Sequence, residues 1–116
     1  ICGMMNINKK KKLIKSYFKF FNEKNIHKLS DLFANNISLK DWNIDARGKL
    51  AVIKANQKIF KSNPKIKVKV KKAYFVGENI FVILDIKINY KNKISVIDHF
   101  TINKKYLISK IRAYLG

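Results

Sequence analysis

A chain of 116 residues, 47% hydrophobic and 12% aromatic, is one domain that can bury a core unaided, and it is too apolar to be disordered. Its lone cysteine, Cys2, excludes a disulfide framework; no apolar run is long enough to span a bilayer, and no apolar segment of a signal peptide follows Lys9–Lys12. The net charge of +19 rests on 24 lysines and only two arginines, Arg47 and Arg112, so it reads as the solvated surface of an AT-rich coding sequence and not as a nucleic-acid footprint.

Ile1-Cys2-Gly3 before the Met4-Met5 pair reads as appended or disordered sequence (residues 1–5), and Cys2 is set aside. From Asn8 to Lys24 the spacing predicts a helix, because Ile14, Tyr17, Phe18 and Phe21 recur at i, i+3, i+4 and i+7. Tyr17 lies inside that stripe, so its hydroxyl enters the interior and needs a partner. Asn25 is a candidate cap for a shorter helix from Ile26 to about Ala34, which Asn35-Asn36 should end. The run from Ile37 to Trp42 alternates like a strand, with Asp41 in phase with Ile37 and Leu39. A turn carboxylate bonding the backbone of Asn43-Ile44-Asp45 is the plainer reading; Asp45 suits it, and Asp41 suits it less because of its phase.

Gly48 opens a third helix to about Ser62, with Leu50, Ile53, Asn56 or Gln57, and Phe60 facing inward, and Asn63-Pro64 ends it. Everything beyond reads as strand. Lys65–Lys71 alternates, with Ile66, Val68 and Val70 inward, until Lys71-Lys72 breaks phase as a bulge would. Gly77-Glu78-Asn79 is a hairpin turn. Ile80, Val82, Leu84, Ile86, Ile88 and Tyr90 then share a face, while the opposite face starts apolar at Phe81 and Ile83, which hints at cover by a helix or a second subunit. The last strand, Tyr106–Leu115, puts Leu107, Ile111, Ala113 and Leu115 together.

Between these lies Ile94–Asn103, whose apolar face of Ile94, Val96, Phe100 and Ile102 is interrupted at its centre by Asp98. A carboxylate there loses water, so its charged form is disfavoured and its pKa should rise. Such an acid can donate a hydrogen bond. His99 faces the other way, and His27 has no metal-binding company, so no metal site is read. The elements add up to an α+β domain, three helices on one face of a bent sheet with at least four consecutive antiparallel strands.

The order of elements from Leu13 to Gly116 resembles the nuclear transport factor 2-like superfamily, on the block SYFKFFNEKNIHKLSDLFANNISLKDW, the RGKLAVI helix start and the KIRAYLG ending. Within it the chain is most similar to ketosteroid isomerases and SnoaL-like polyketide cyclases. The resemblance implies a cystatin-like roll: a cone of curved mixed sheet and three N-terminal helices around a deep hydrophobic pocket. It also implies catalytic roles. Tyr17 matches a helix-one tyrosine, Asp41 a base ending the first strand, and Asp98 a hydrogen-bond-donating acid in a D-H-F segment. Asp41, ionised, would take a proton next to a ketone while Tyr17 and protonated Asp98 hold the enolate oxygen.

The resemblance further implies a pocket lined by Phe21, Phe33, Trp42, Asn56, Val82, Leu84, Phe100, Ile111 and Ala113. It implies a small hydrophobic carbonyl-containing ligand; the residues themselves call for no cofactor, metal or membrane partner and disfavour nucleic acid, and the phase of His99 puts it on the outer sheet face, where a homodimer contact is expected. A reducing, cytoplasmic location is the default. Three positions depart from the isomerases: Phe33 and Asn56 stand where they carry supporting tyrosines, and Trp42 stands where they carry a proline. An epoxide-hydrolase-like site would need an Asp-Arg-Asp set, and Arg112 is out of phase for it. The alternative is a non-catalytic binding or dimerisation module on the same fold.

Overall fold

Asn6 nucleates the first helix in the computed structural model, which describes residues 5–116: its side chain accepts hydrogen bonds from the N–H groups of Asn8 and Lys9 at 2.9 and 3.1 Å. The expectation for residues 1–4 falls outside the described residues, whereas Met5 packs against the core. Helix α1 (Ile7–Asn22) buries Leu13, Ile14, Tyr17, Phe18 and Phe21, the stripe its periodicity marks. Asn25 caps α2 (Ile26–Ser30) by accepting from the Lys28 N–H.

That second helix is shorter than its sequence suggests. Phe33 and Ala34 already belong to β1 (Phe33–Lys40), and Asn35-Asn36 continues the strand where a break was expected. The reason is tertiary: β1 pairs in parallel with the last strand, and its register slips between Phe33 and Ser38. The two asparagines sit exposed on that irregularity, so the polar pair bends the strand instead of ending it. A short β2 (Asp45–Arg47), read as turn from sequence, folds back antiparallel on β1.

Gly48, with a φ of 88°, precedes α3 (Lys49–Ser62). The helix is rotated from the expected stripe. Leu50 is largely exposed and Gln57 is exposed, while Val52 and Asn56 are fully buried. A polar residue on the inward face is the clue that α3 looks into a cavity and not only into dry core.

Four strands follow as an antiparallel meander: β3 (Lys67–Val76), β4 (Asn79–Lys87), β5 (Lys93–Ile102) and β6 (Ile108–Leu115). The six-stranded sheet has the order β2-β1-β6-β5-β4-β3, mixed because β1 and β6 run parallel. The bulge expected at Lys71-Lys72 is present, as a register shift between Val70 and Lys72. Gly77 takes a φ of 58° at the first central position of the β3–β4 hairpin, a conformation in which a side chain would be strained. On β5 the alternation is as read, with Val96, Asp98, Phe100 and Ile102 buried.

Three residues expected inward along the strands are exposed. Val70 lies on the edge strand and is 40% exposed, Tyr90 lies beyond β4 and is 87% exposed, and Leu115 frays at the sheet's end at 57%. Tyr106, with a φ of 60°, lies in the turn before β6, and the β5–β6 register shifts between Thr101 and Ile102, so that Ile108, not Leu107, is the buried residue.

The outer edge of β3 is tied to α1 through the Asn22 side chain. Asn22 donates from Nδ2 to the Val68 carbonyl at 2.9 Å and accepts from the Val68 N–H at 2.7 Å, imitating a neighbouring strand. Replacing it with alanine orphans both groups of Val68, and Asn22→Ala is expected to lower stability by about 1–3 kcal/mol in urea denaturation. A midpoint unchanged from the parent would show that water replaces the amide at no cost.

Candidate functional site

Helices α1 and α3 and strands β1, β3, β4, β5 and β6 line a cavity of about 320 Å³, at the lower end of the range for small-molecule sites. Tyr17, Asp41 and Asp98 all line it, together with Phe21, Trp42, Asn56, Leu84, Ile111 and Ala113. Phe33, Val82 and Phe100, expected at the wall, are instead fully buried in the core behind it. Phe33 moved because it opens β1 rather than closing α2.

Tyr17 is held by aromatic neighbours: edge-to-face contacts with Phe18 and Phe100, each at 5.0 Å between ring centres, and a stack on Phe21 at 6.2 Å. Phe100 therefore serves the site indirectly, as the wall that fixes the phenol. Burial, and then the negative charge of Asp98, push the Tyr17 hydroxyl above the ordinary phenol range. The phenol stays protonated and can only donate to a developing oxyanion.

Asp98 sits between Val96 and Phe100 on β5, paired across the ladders with Val82 and Ala113. Burial first, and the charge of Asp41 second, raise its carboxyl from 3.8 to about 7. Neither the Asp98 carboxyl nor the Tyr17 hydroxyl bonds another described residue, and neither is sealed from the cavity. Asp85 gives the contrast. Burial pushes it up as well, but Lys71 at 3.4 Å and Lys93 at 3.7 Å, with the Ser95 hydroxyl, hold it below the ordinary carboxylate range. Of the two buried acids, only the one without a cation turns into a donor.

Asp41 follows the last residue of β1 and takes both placements that its sequence left open, at the turn and at the cavity. Its Oδ1 accepts from the N–H groups of Asn43 and Ile44 at 2.7 and 2.6 Å, an Asx turn that reverses the chain toward β2. The same carboxylate borders the cavity, with Oδ2 left outside the turn. Trp42, 42% exposed, forms part of the rim.

Sequence reading missed several liners. Asn43 and Ile44 come in with the Asx turn, Ile59 and Asn63 with the true face of α3, and Ile88 and Ile94 from the strand ends flanking the β4–β5 loop. The spacing 52, 56, 59, 63 was the available signal, obscured by the polarity of two of its four members. Among the described residues no group of three or more His, Cys, Asp or Glu is placed to hold a metal ion, and no helix is long and apolar enough to cross a membrane.

No family model matches the chain, and no curated protein does. Solved structures match along nearly its whole length. A cystatin-like-fold protein of unknown function from Methylobium petroleophilum superposes with a TM-score of 0.85 at 12% identity, covering 97% of this chain and 78% of its own. The epoxide hydrolase/cyclase-like enzyme SalBIII, with a role in pyran ring formation in the polyether salinomycin, gives 0.84 at 18% identity, covering 97% and 95%. A ketosteroid isomerase-like protein from Kribbella flavida gives 0.81 at 13%, covering 94% and 78%. These likenesses establish the fold: an NTF2-like, cystatin-like roll shared with proteins of isomerase and cyclase type.

Proposed function

We propose that this chain is a small-molecule pocket protein that transfers a proton next to a carbonyl, as an isomerase or cyclase. The observation that carries the reading is Asp98: a buried carboxyl, raised to about 7, that opens on the same cavity as an unpartnered phenol. In a water-poor cavity, two such donors stabilise the negative charge that develops on a carbonyl oxygen. Asp41 is the base. Its carboxylate takes the proton α to the carbonyl, and the C–H electron pair becomes the enolate double bond as the carbonyl π pair moves onto oxygen. The Tyr17 and Asp98 O–H groups hold that oxygen. Return of the proton to a different carbon completes an isomerisation; attack of the enolate on a second carbonyl completes a ring closure.

The test is exchange of α-protons of a cyclic ketone such as 1-tetralone into deuterated water, followed by NMR, with Δ5-3-ketosteroid isomerisation as a second assay. Exchange well above the buffer rate supports the reading. Saturable ketone binding without exchange would leave a binding module. One observation favours that second outcome: Asp41 Oδ1 is already engaged by two backbone N–H groups, so the carboxylate has a structural task of its own at the turn.

We further propose that the outer face of the sheet pairs two copies of the chain. Tyr74, Ile83, Ile97 and Tyr114 form an exposed apolar band across β3–β6, with Ile83 opposite Ile97 and Ile97 opposite Tyr114. Phe81 and His99 stack beside it at 4.4 Å. Burial, with Lys110 and Arg112 nearby, lowers the His99 pKa, so the imidazole adds no charge to the band at neutral pH. Light scattering in moderate salt is expected to give twice the chain mass, and Ile97→Glu to return it to the monomer. A parent monomer at high concentration would remove this proposal.

A further inference from the structure

Resting on the carbonyl reading, the structure assigns Asn56 as the residue that selects the ligand: it accepts a hydrogen bond from a donor group on the ligand, and the cavity rejects a ligand that carries a negative charge. Three observations converge on this. Asn56 is 1% exposed, yet it lines the cavity from α3. Its Nδ2 donates to the Val52 carbonyl one turn back at 2.9 Å, which fixes the amide so that Oδ1 is the atom left over. That oxygen accepts from no described residue, and it is not sealed away from the cavity. A buried amide oxygen turned to a cavity wants an N–H or O–H, since leaving it unmet costs the desolvation of the group.

The side chains around it set the rest. Tyr17 and Asp98 come from α1 and β5, Asn56 from α3, and Leu84, Ile86 and Ile111 form the apolar wall of the same cavity. The cavity therefore carries polar groups of opposite sense, Tyr17 and Asp98 donating and Asn56 accepting. None of the chain's 24 lysines or two arginines lines it, although two aspartates do. On a chain of net charge +19, this is a chamber without a cation. A carboxylate or phosphate ligand would find no cation there and would lie beside the Asp41 carboxylate, whereas a neutral hydroxyketone meets both the donors and the acceptor.

The experiment measures affinity for four sets of probes: hydroxytetralones, their methoxy counterparts, carboxytetralones, and hydroxytetralins that lack the ketone. The wild-type protein is expected to bind its best hydroxytetralone about fivefold to tenfold more tightly than the matching methoxytetralone, the worth of one hydrogen bond. Carboxytetralones should bind at least about tenfold more weakly than the hydroxy series. Asn56→Leu should erase the hydroxy-over-methoxy preference while 1-tetralone still binds. Equal affinity for hydroxy and methoxy probes on the wild-type protein, or a preference that survives in Asn56→Leu, would overturn the assignment of Asn56. Tight binding of carboxytetralones would overturn charge selection. If hydroxytetralins bind as well as hydroxytetralones, the carbonyl reading fails while the Asn56 contact stands, so the two failures are separable.

Discussion

Asp41→Asn is expected to slow α-proton exchange by about 10²–10⁴ while ketone affinity changes little. The substitution suits the site because it separates the residue's two roles. The Asx turn needs only an oxygen that accepts from the Asn43 and Ile44 N–H groups, and an asparagine supplies that oxygen in the same place. It cannot take a proton from carbon. The turn, the rim formed by Trp42 and the approach to β2 should therefore persist, and the loss should appear in the exchange rate rather than in the fold. Asp41→Ala should do both, losing exchange and about 1–3 kcal/mol of stability as two turn N–H groups lose their acceptor. The check is paired: NMR exchange for the chemistry, and urea midpoints for the turn. Exchange in Asp41→Asn within a factor of a few of the parent would mean that water, or another group, is the base.

How much of this could be read from the chain depends on which residues reported a local rule and which reported a distant one. Asp98 was legible because its strand alternates strictly and is buried on one side, so phase alone put the carboxyl inside. Tyr17 was legible for the same reason at the helical period. Asn35-Asn36 misled because a polar pair usually ends an element, and only the parallel partner β6, some seventy residues later, explains why the strand continues. Asn56 was named, but on a face shared with Leu50. That leucine satisfies hydropathy and faces solvent, whereas Val52, Ile59 and Asn63 complete the true inward row. Hydrophobic periodicity locates a core; a helix that borders a polar cavity carries polar residues on its inner face and defeats the rule. Asp41 combines both placements that its phase and its neighbours suggested, closing the turn with Oδ1 and bordering the cavity.

Asp98→Asn is expected to stabilise the protein strongly in alkaline solution and not at all in acid. The folded state holds the Asp98 proton up to about pH 7, against an ordinary value of 3.8, so between those limits the folded chain binds more protons than the unfolded one. Stability therefore falls as pH rises through that interval, and above about 7 the folded state carries a buried, unpaired carboxylate. The whole interval corresponds to about 4 kcal/mol at about 1.4 kcal/mol per pH unit. An asparagine has the same shape and no charge. The gap between variant and parent should thus be near zero below pH 4, open across the interval and level off near about 4 kcal/mol by pH 8–9. Urea denaturation of both proteins across that range measures it, and other titrating groups cancel in the difference. Because Asp41 supplies the smaller part of the Asp98 shift, Asp41→Asn should shrink the gap, making the two substitutions non-additive. The same titration bounds the activity: Asp98 donates only while protonated, so exchange should decline as pH rises through about 7. A gap independent of pH would mean that Asp98 ionises freely when folded, and a carboxylate that ionises freely cannot hold an enolate oxygen.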